Sequence, residues 1–367
     1  MKTTQQLHDL GQSLWLDNIT RELLTSGTLD RYISELSITG LTSNPTIFDH
    51  AIRNADTYDA AIREKALAGK SGEGLFFELA LEDLTQAADL FHSTYVATDG
   101  VDGWVSLEVS PLLANDTAGT IQAAKQLYAQ AQRSNLFIKI PGTEAGIVAI
   151  EEAIFSGVPV NVTLLFSREQ YVAAAEAYMR GIERRIDAGF DVKVASVASI
   201  FISRWDVAIK DKAPDALHNR LGIAIAMSTY KTYCDLLASP RWNRLAGAGA
   251  IPQRLLWAST GTKDPNAPDT LYLDAIAAPN TINTMPEKTL LALAEHGMVK
   301  NTLSRDGGNA EVILAEFRHA GVDDAALAVR LQHEGVQSFA ESWNDLMECI
   351  ASKSTRLKKS HAGATRL

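Results

Sequence analysis

Two rhythms of apolar and polar residues alternate along the chain. Short runs of β-branched and apolar residues occur at 12–17, 36–45, 103–111, 136–143, 159–167, 194–202, 254–262 and 280–286. Segments with helical spacing fall between or after them, at 20–35, near 54–97, 117–133, 144–156, 168–188, 203–239 in two or three pieces, 268–277 and 287–296. Strand-length runs followed by helix-length segments are the signature of βα units and a parallel sheet. Eight of them predict a closed (β/α)8 barrel, with an open doubly wound sheet as the alternative, because closure is not written in the pattern.

The connections read as helix caps rather than linkers. Asn115-Asp116-Thr117 precedes one helical segment, and Ser167 with Gln170 has capping-box spacing before the next but one. Beyond 310, EVILAEF and the segment from Asp323 to Ile350 predict extra helices packed on the outside of the barrel. The end, KSTRLKKSHAGATRL, is basic and aperiodic. The predicted organisation is a single barrel domain over 1–352 and a flexible basic tail over 353–367.

Composition removes several classes of function. The chain has 367 residues, 46% of them hydrophobic and 21% charged, which fits an ordinary packed core. A net charge of -10, with no basic run in the folded part, argues against nucleic acid. No apolar run reaches membrane-spanning length, and the N-terminal stretch has no signal-peptide core, so a soluble cytoplasmic protein is expected, as a monomer or homodimer. Cys234 and Cys349 are far apart, and no histidine pair has ligand spacing on a helix, so neither a disulfide framework nor a metal site is predicted.

The strand ends carry the candidate chemistry. In a barrel of this kind the reactive groups come from the carboxyl ends of the strands. These ends hold Asp17, then Thr42-Ser43-Asn44, Glu108, Lys139, Asn161 with Thr163, Ser199, Ser259-Thr260 and Asn283-Thr284. Taken singly, each has a plain structural reading: Asp17 as a helix cap, Asn44 as a turn before Pro45, Glu108 with Lys139 as a buried ion pair. Taken together they place a carboxylate, an ammonium, amides and hydroxyls in one mouth, at a burial cost of roughly 1–3 kcal/mol for each unsatisfied group.

Lys139 is the natural nucleophile, set in LFIKIPGT among apolar neighbours, with Pro141-Gly142 ending the strand at the mouth. Desolvation favours a neutral amine, and a neutral amine adds to a carbonyl carbon, which implies a Schiff base with Glu108 and Asp17 moving protons. Arg204, just past strand six, and Lys263, just past strand seven, sit where late barrel loops commonly hold phosphate. Their alternative roles are an ion pair between Arg204 and Asp206 and a solvated turn at Lys263.

At these positions TGLTSNPTIF, WVSLEVSP, FIKIPGTEAGI, VNVTLLFS, ASIFISRWD and ASTGTKDP together resemble the transaldolase family, in order and spacing, over about 15–300. The resemblance implies Lys139 as the Schiff-base lysine, Asp17 as the general acid/base, and Glu108 with Thr163 as holders of a catalytic water. It also implies that Thr42, Asn44 and Asn161 bind substrate hydroxyls, that Ser199 and Arg204 bind phosphate, and that Phe201 lies over the site. The substrates implied are sugar phosphates, with no cofactor. One departure stands out: Lys263 occupies the segment where many members of the family carry a second phosphate-binding arginine, and lysine lacks the guanidinium fork.

Overall fold

The computed structural model describes residues 2–299 and 301–364. Eight parallel strands close in sequence order: β1 (Ser13–Asp17), β2 (Ile38–Thr42), β3 (Trp104–Glu108), β4 (Leu136–Pro141), β5 (Val160–Leu165), β6 (Ser196–Phe201), β7 (Arg254–Ala258) and β8 (Ile282–Met285). β8 pairs back onto β1 through Ser13 and Ile282. This is the (β/α)8 barrel that the alternation of rhythms predicts.

Side-chain alternation in the strands builds two separate cores. Leu14 and Leu16, Val105 and Leu107, and Leu136, Ile138 and Ile140 point outward into one apolar cluster shared with the surrounding helices. Their neighbours Trp15, Trp104 and Phe137 point inward and belong to a second cluster inside the barrel. Because successive strand residues face opposite sides, the residue two places after each inward aromatic also faces inward. Those residues are Asp17, Ser106 and Lys139.

The interior is therefore layered, aromatic below and polar above. Trp104 stacks on Phe137 with ring centroids 4.0 Å apart, and Trp15 lies 6.2 Å from Phe137. Gly40 makes room for this layer, since a Cβ there would sit 2.6 Å from the Trp104 carbonyl and 2.7 Å from the Trp15 indole nitrogen. Below the aromatics, Asp102 accepts hydrogen bonds from Ser13 and, at 2.8 Å, from Trp15 Nε1. Arg254 donates to Ser13 at 2.7 Å and to the Thr281 carbonyl at 2.9 Å. A buried hydrogen-bonded cluster around Ser13 thus fills the amino end of the barrel.

The caps fall where the sequence places them. Asp116 receives Gly119 N–H at 3.0 Å, and Ser167 with Gln170 forms a complete capping box. Several helices depart from the expectation. Thr3–Leu10 precedes the first strand, and Pro45–Asn54 follows β2 directly, filling the unassigned interval between the strand run at 36–45 and the helical stretch near 54–97. Asn44 caps the second of these through its side-chain oxygen, 3.0 Å from Ile47 N–H, and Pro45 supplies the pre-set first position. The long helical stretch near 54–97 divides into Asp56–Tyr58, Asp59–Leu67 and Gly72–Ala97.

The largest correction concerns the C-terminus. One helix runs from Asp324 to Ala364, so the boundary expected at 352 and the flexible tail from 353 are replaced, through Ala364, by unbroken helix; residues 365–367 lie outside the described residues. Lys353 ties this helix down, donating to the Ala55 carbonyl at 2.8 Å and to Asp59 at 2.9 Å. Nor does it lie on the barrel's outer wall. At roughly 1.5 Å per residue it is long enough to cross the whole molecule. It passes over the open end, with Gln332 bonded to the Gly142 and Leu164 carbonyls at 3.0 and 2.9 Å and Trp343 bonded to Glu73 at 3.0 Å.

Gly40→Ala should destabilise the protein by about 1–3 kcal/mol, because the added methyl must displace backbone and an indole rather than a flexible side chain. Urea denaturation of the variant against the parent measures it.

Candidate active site

Lys139 reaches the mouth on β4, one inward position beyond Phe137. Its partner across the sheet is Glu108 on β3, in direct register. Nζ stands 3.2 Å from Glu108 Oε2 and donates to the Ser43 carbonyl at 3.2 Å. Lysine and glutamate are 5% and 4% exposed, so the pair is desolvated. Such a pair is held by geometry more than by net energy, since desolvation offsets most of the attraction.

Asp17, at the end of β1, faces the same cavity and accepts a hydrogen bond from Thr42 Oγ1 at 2.7 Å. The adjoining helix is capped by Thr20 instead, which frees Asp17 from that duty. Burial pushes the Asp17 carboxyl above the ordinary aspartate range, against the opposing pull of Lys139, the Thr42 hydroxyl and Lys263. Glu108 is raised in the same sense, with burial outweighing the adjacent Lys139. Desolvation wins over a neighbouring cation in both cases, which marks a dry site.

A polar chain supports this centre from below. Ser199 donates to Asn161 Oδ1 at 2.7 Å, and Asn161 Nδ2 donates to Ser106 Oγ at 3.1 Å. Asn161 is fully buried and is not part of the cavity wall, so its amide ties β3, β5 and β6 together under the mouth. The buried Thr163 hydroxyl has no hydrogen-bond partner among the described residues, and the same is true of both Glu108 oxygens once the ion pair is set aside. In β5 the register breaks after Val162, and Leu164 has a φ of 58°. That irregularity turns Leu164 into the interior cluster beneath the C-terminal helix.

The cavity measures about 250 Å³ and is lined by Asp17, Thr42, Asn44, Lys139, Thr163, Ser199, Phe201, Arg204 and Lys263. Nine of the eleven predicted site residues therefore share one wall; Glu108 and Asn161 lie just behind it. Arg204 does not pair with Asp206, which instead accepts from the Leu221 and Gly222 N–H groups and from Tyr272. No carboxylate among the described residues lies within ion-pair distance of the Arg204 guanidinium. It is stacked 5.1 Å from the centroid of Phe201.

Phe339, from the C-terminal helix, is a cavity-wall residue that the sequence reading misses. Its ring lies 5.7 Å from Lys139 Nζ and 5.8 Å from Arg204 Cζ, and it completes the cavity wall. The signal was present as an apolar stripe at Leu327, Leu331, Phe339 and Trp343, interrupted by Gly335 at the same four-residue interval. A stripe reveals that a helix has a buried face and not what covers it.

Fold and mouth together define a (β/α)8-barrel enzyme whose polar groups converge at the carboxyl ends of the strands. The profile of the transaldolase/fructose-6-phosphate aldolase family matches residues 14–350. The chain is 45% identical over 354 residues to a transaldolase of Arthrobacter sp. (strain FB24), covering 94% of this chain and 95% of that one. It is 43% identical over 358 residues to a transaldolase of Parafrankia sp. (strain EAN1pec), covering 95% and 97%. A transaldolase of Thermobifida fusca (strain YX) is 43% identical over 356 residues, covering 95% and 97%. The chain belongs to the transaldolase/fructose-6-phosphate aldolase family, and it is an enzyme of the transferase kind that its transaldolase relatives represent. Among the described residues no helix is long and apolar enough to cross a membrane.

Thr42→Val should raise the Asp17 carboxyl further, since the Thr42 hydroxyl donates to the charged form and favours it. Infrared pH titration of the carboxylate bands checks the sign; a downward shift would contradict it.

Proposed function

We propose that the enzyme transfers a dihydroxyacetone unit from a ketose phosphate, sedoheptulose 7-phosphate or fructose 6-phosphate, to an aldose phosphate, glyceraldehyde 3-phosphate or erythrose 4-phosphate. In this reading Lys139 carries the unit as a Schiff base, within the pentose phosphate pathway of the cytoplasm. The observation that carries the reading is the placement of Lys139 Nζ 3.2 Å from a buried carboxylate, in a cavity that also holds Asp17 and an arginine without an ion-pair partner among the described residues.

The Lys139 amine attacks C2 of the ketose, giving a carbinolamine. Water leaves with a proton supplied through Glu108, and the iminium forms. Asp17 takes the proton of the C4 hydroxyl, the C3–C4 bond breaks, and its electron pair flows into the iminium to give an enamine while the aldose phosphate departs. A second aldose phosphate enters, the enamine carbon attacks its carbonyl, and Asp17 returns the proton to the new hydroxyl. Hydrolysis of the resulting iminium frees the new ketose and the lysine. Atoms balance, and the nitrogen alone serves as electron sink.

The raised carboxyls suit these steps, because a general acid/base works best when its pKa lies near the working pH, above the ordinary carboxylate range. In this reading Thr163, whose hydroxyl has no hydrogen-bond partner among the described residues, and Glu108 hold the water that leaves and returns. Thr42 and Asn44 serve the sugar hydroxyls from the wall. Ser199, Arg204 and Lys263 serve the phosphate, the arginine as the fork and the lysine as a point charge. Asn161 acts from behind the wall, accepting from Ser199 and donating to Ser106, and so holds the Ser199 hydroxyl in place.

Borohydride added with fructose 6-phosphate should leave a three-carbon adduct on Lys139, seen by peptide mass, and Lys139→Ala should neither trap nor turn over. Glu108→Gln should slow turnover by about 10²–10⁴-fold. Absence of the adduct would sink the Schiff-base reading. Release of dihydroxyacetone at the same rate with and without erythrose 4-phosphate would make the enzyme an aldolase rather than a transferase.

A further inference from the structure

The C-terminal helix brings one aromatic ring to the point where the two ends of the cavity meet. Phe339 is 5% exposed although it lies at the open face of the barrel. Its ring is 5.7 Å from the nucleophilic nitrogen and 5.8 Å from the Arg204 guanidinium, and Phe201 stands 5.1 Å from the same guanidinium. A cation between two aromatic faces is held in orientation without a carboxylate that would compete with an incoming anion.

The helix is built to keep that ring in place. One turn before it, Gly335 lets the backbone approach the barrel: a Cβ there would lie 2.9 Å from Leu164 Cδ2 and 3.4 Å from Arg204 Nη1. Gln332 bridges the Gly142 carbonyl, just past β4, and the Leu164 carbonyl in β5. One turn after it, Trp343 bonds to Glu73 and packs 5.0 Å from Phe76. The helix is thus tied down on both sides of the ring, to the rim that carries Lys139 and to the start of the helix Gly72–Ala97.

We propose that Phe339 is a positioning residue for the transfer reaction: it holds Arg204 in line for the substrate phosphate and covers Lys139, so that the bound three-carbon unit passes to an aldehyde rather than to water. The proposal rests on the Schiff-base reading above. The loss it prevents is definite. Protonation of the enamine carbon gives an iminium, water adds at C2, and the carbinolamine collapses to free dihydroxyacetone and the Lys139 amine. Both steps need water or a solvent proton at the face that the ring occupies.

The test uses the full chain with Phe339→Ala and Phe339→Leu, each compared with the parent for thermal melting, KM of fructose 6-phosphate, transfer to erythrose 4-phosphate and release of free dihydroxyacetone. Phe339→Ala should raise the ratio of release to transfer by about tenfold and raise KM as well. Phe339→Leu keeps an apolar cover without the π face, so its ratio should stay within about twofold of the parent while KM rises by about three- to tenfold. A ratio and KM unchanged in a folded Phe339→Ala would overturn the proposal, as would a leucine variant indistinguishable from alanine in the ratio. Should alanine fail to fold, the leucine variant decides alone, and parental KM in it counts against the proposal. Failure of the underlying reading shows separately, as no borohydride adduct on Lys139 in the parent.

Discussion

The arrangement of the mouth depends on a buried lysine beside a buried glutamate. Lys139 and Glu108 are locked in register on adjacent strands, 3.2 Å apart, with a backbone carbonyl as the lysine's other partner. Replacing such a pair with well-packed apolar residues is often neutral or stabilising, so folding alone does not call for it. Its geometry nonetheless fixes where everything else must go. The neighbouring strands have to offer hydrogen-bonding groups at that height and apolar groups below it, and the chain meets both demands.

That division by height follows from the two-residue strand period. Trp15, Trp104 and Phe137 fill the interior one layer below Asp17, Ser106 and Lys139, and the outward residues between them serve the helix layer. The aromatic layer excludes water from beneath, and Phe201 and Phe339 do so from above. A cavity walled this way amplifies every charge within it. Burial then raises both Asp17 and Glu108 despite the nearby lysine, which moves two carboxyls toward the affinities that proton transfer requires.

Much of this was legible in the chain because it is local. An inward lysine in LFIKIPGT follows from its alternation with Ile138 and Ile140, and the capping box at Ser167 is spelled out in four residues. What failed was either ambiguous locally or not local at all. Asn44-Pro45 is equally a turn and a helix start, and the choice fell to tertiary packing of Phe48 and Ile52. The basic segment from 353 reads as a frayed end only until Asp59 and the Ala55 carbonyl are brought beside Lys353, almost three hundred residues away in sequence. Phe339 belongs to the same class, since helical periodicity fixes its face and only the closed barrel supplies its partners.

The placement of Arg204 closes the argument about charge. A guanidinium near the mouth could have been neutralised by a carboxylate, and Asp206 is only two residues away. Instead Asp206 is committed to two backbone N–H groups and Tyr272, and the guanidinium faces aromatic rings. Burial then lowers the arginine's proton affinity, with the charge of Glu334 opposing it. An aromatic cradle orients a cation while leaving its hydrogen-bond donors unspent, whereas a carboxylate would consume them. In the proposed function, a dianionic phosphate arriving at such a group would exchange water for a ready fork without first breaking an ion pair, and the binding energy so retained would serve to orient the reacting carbon over Lys139.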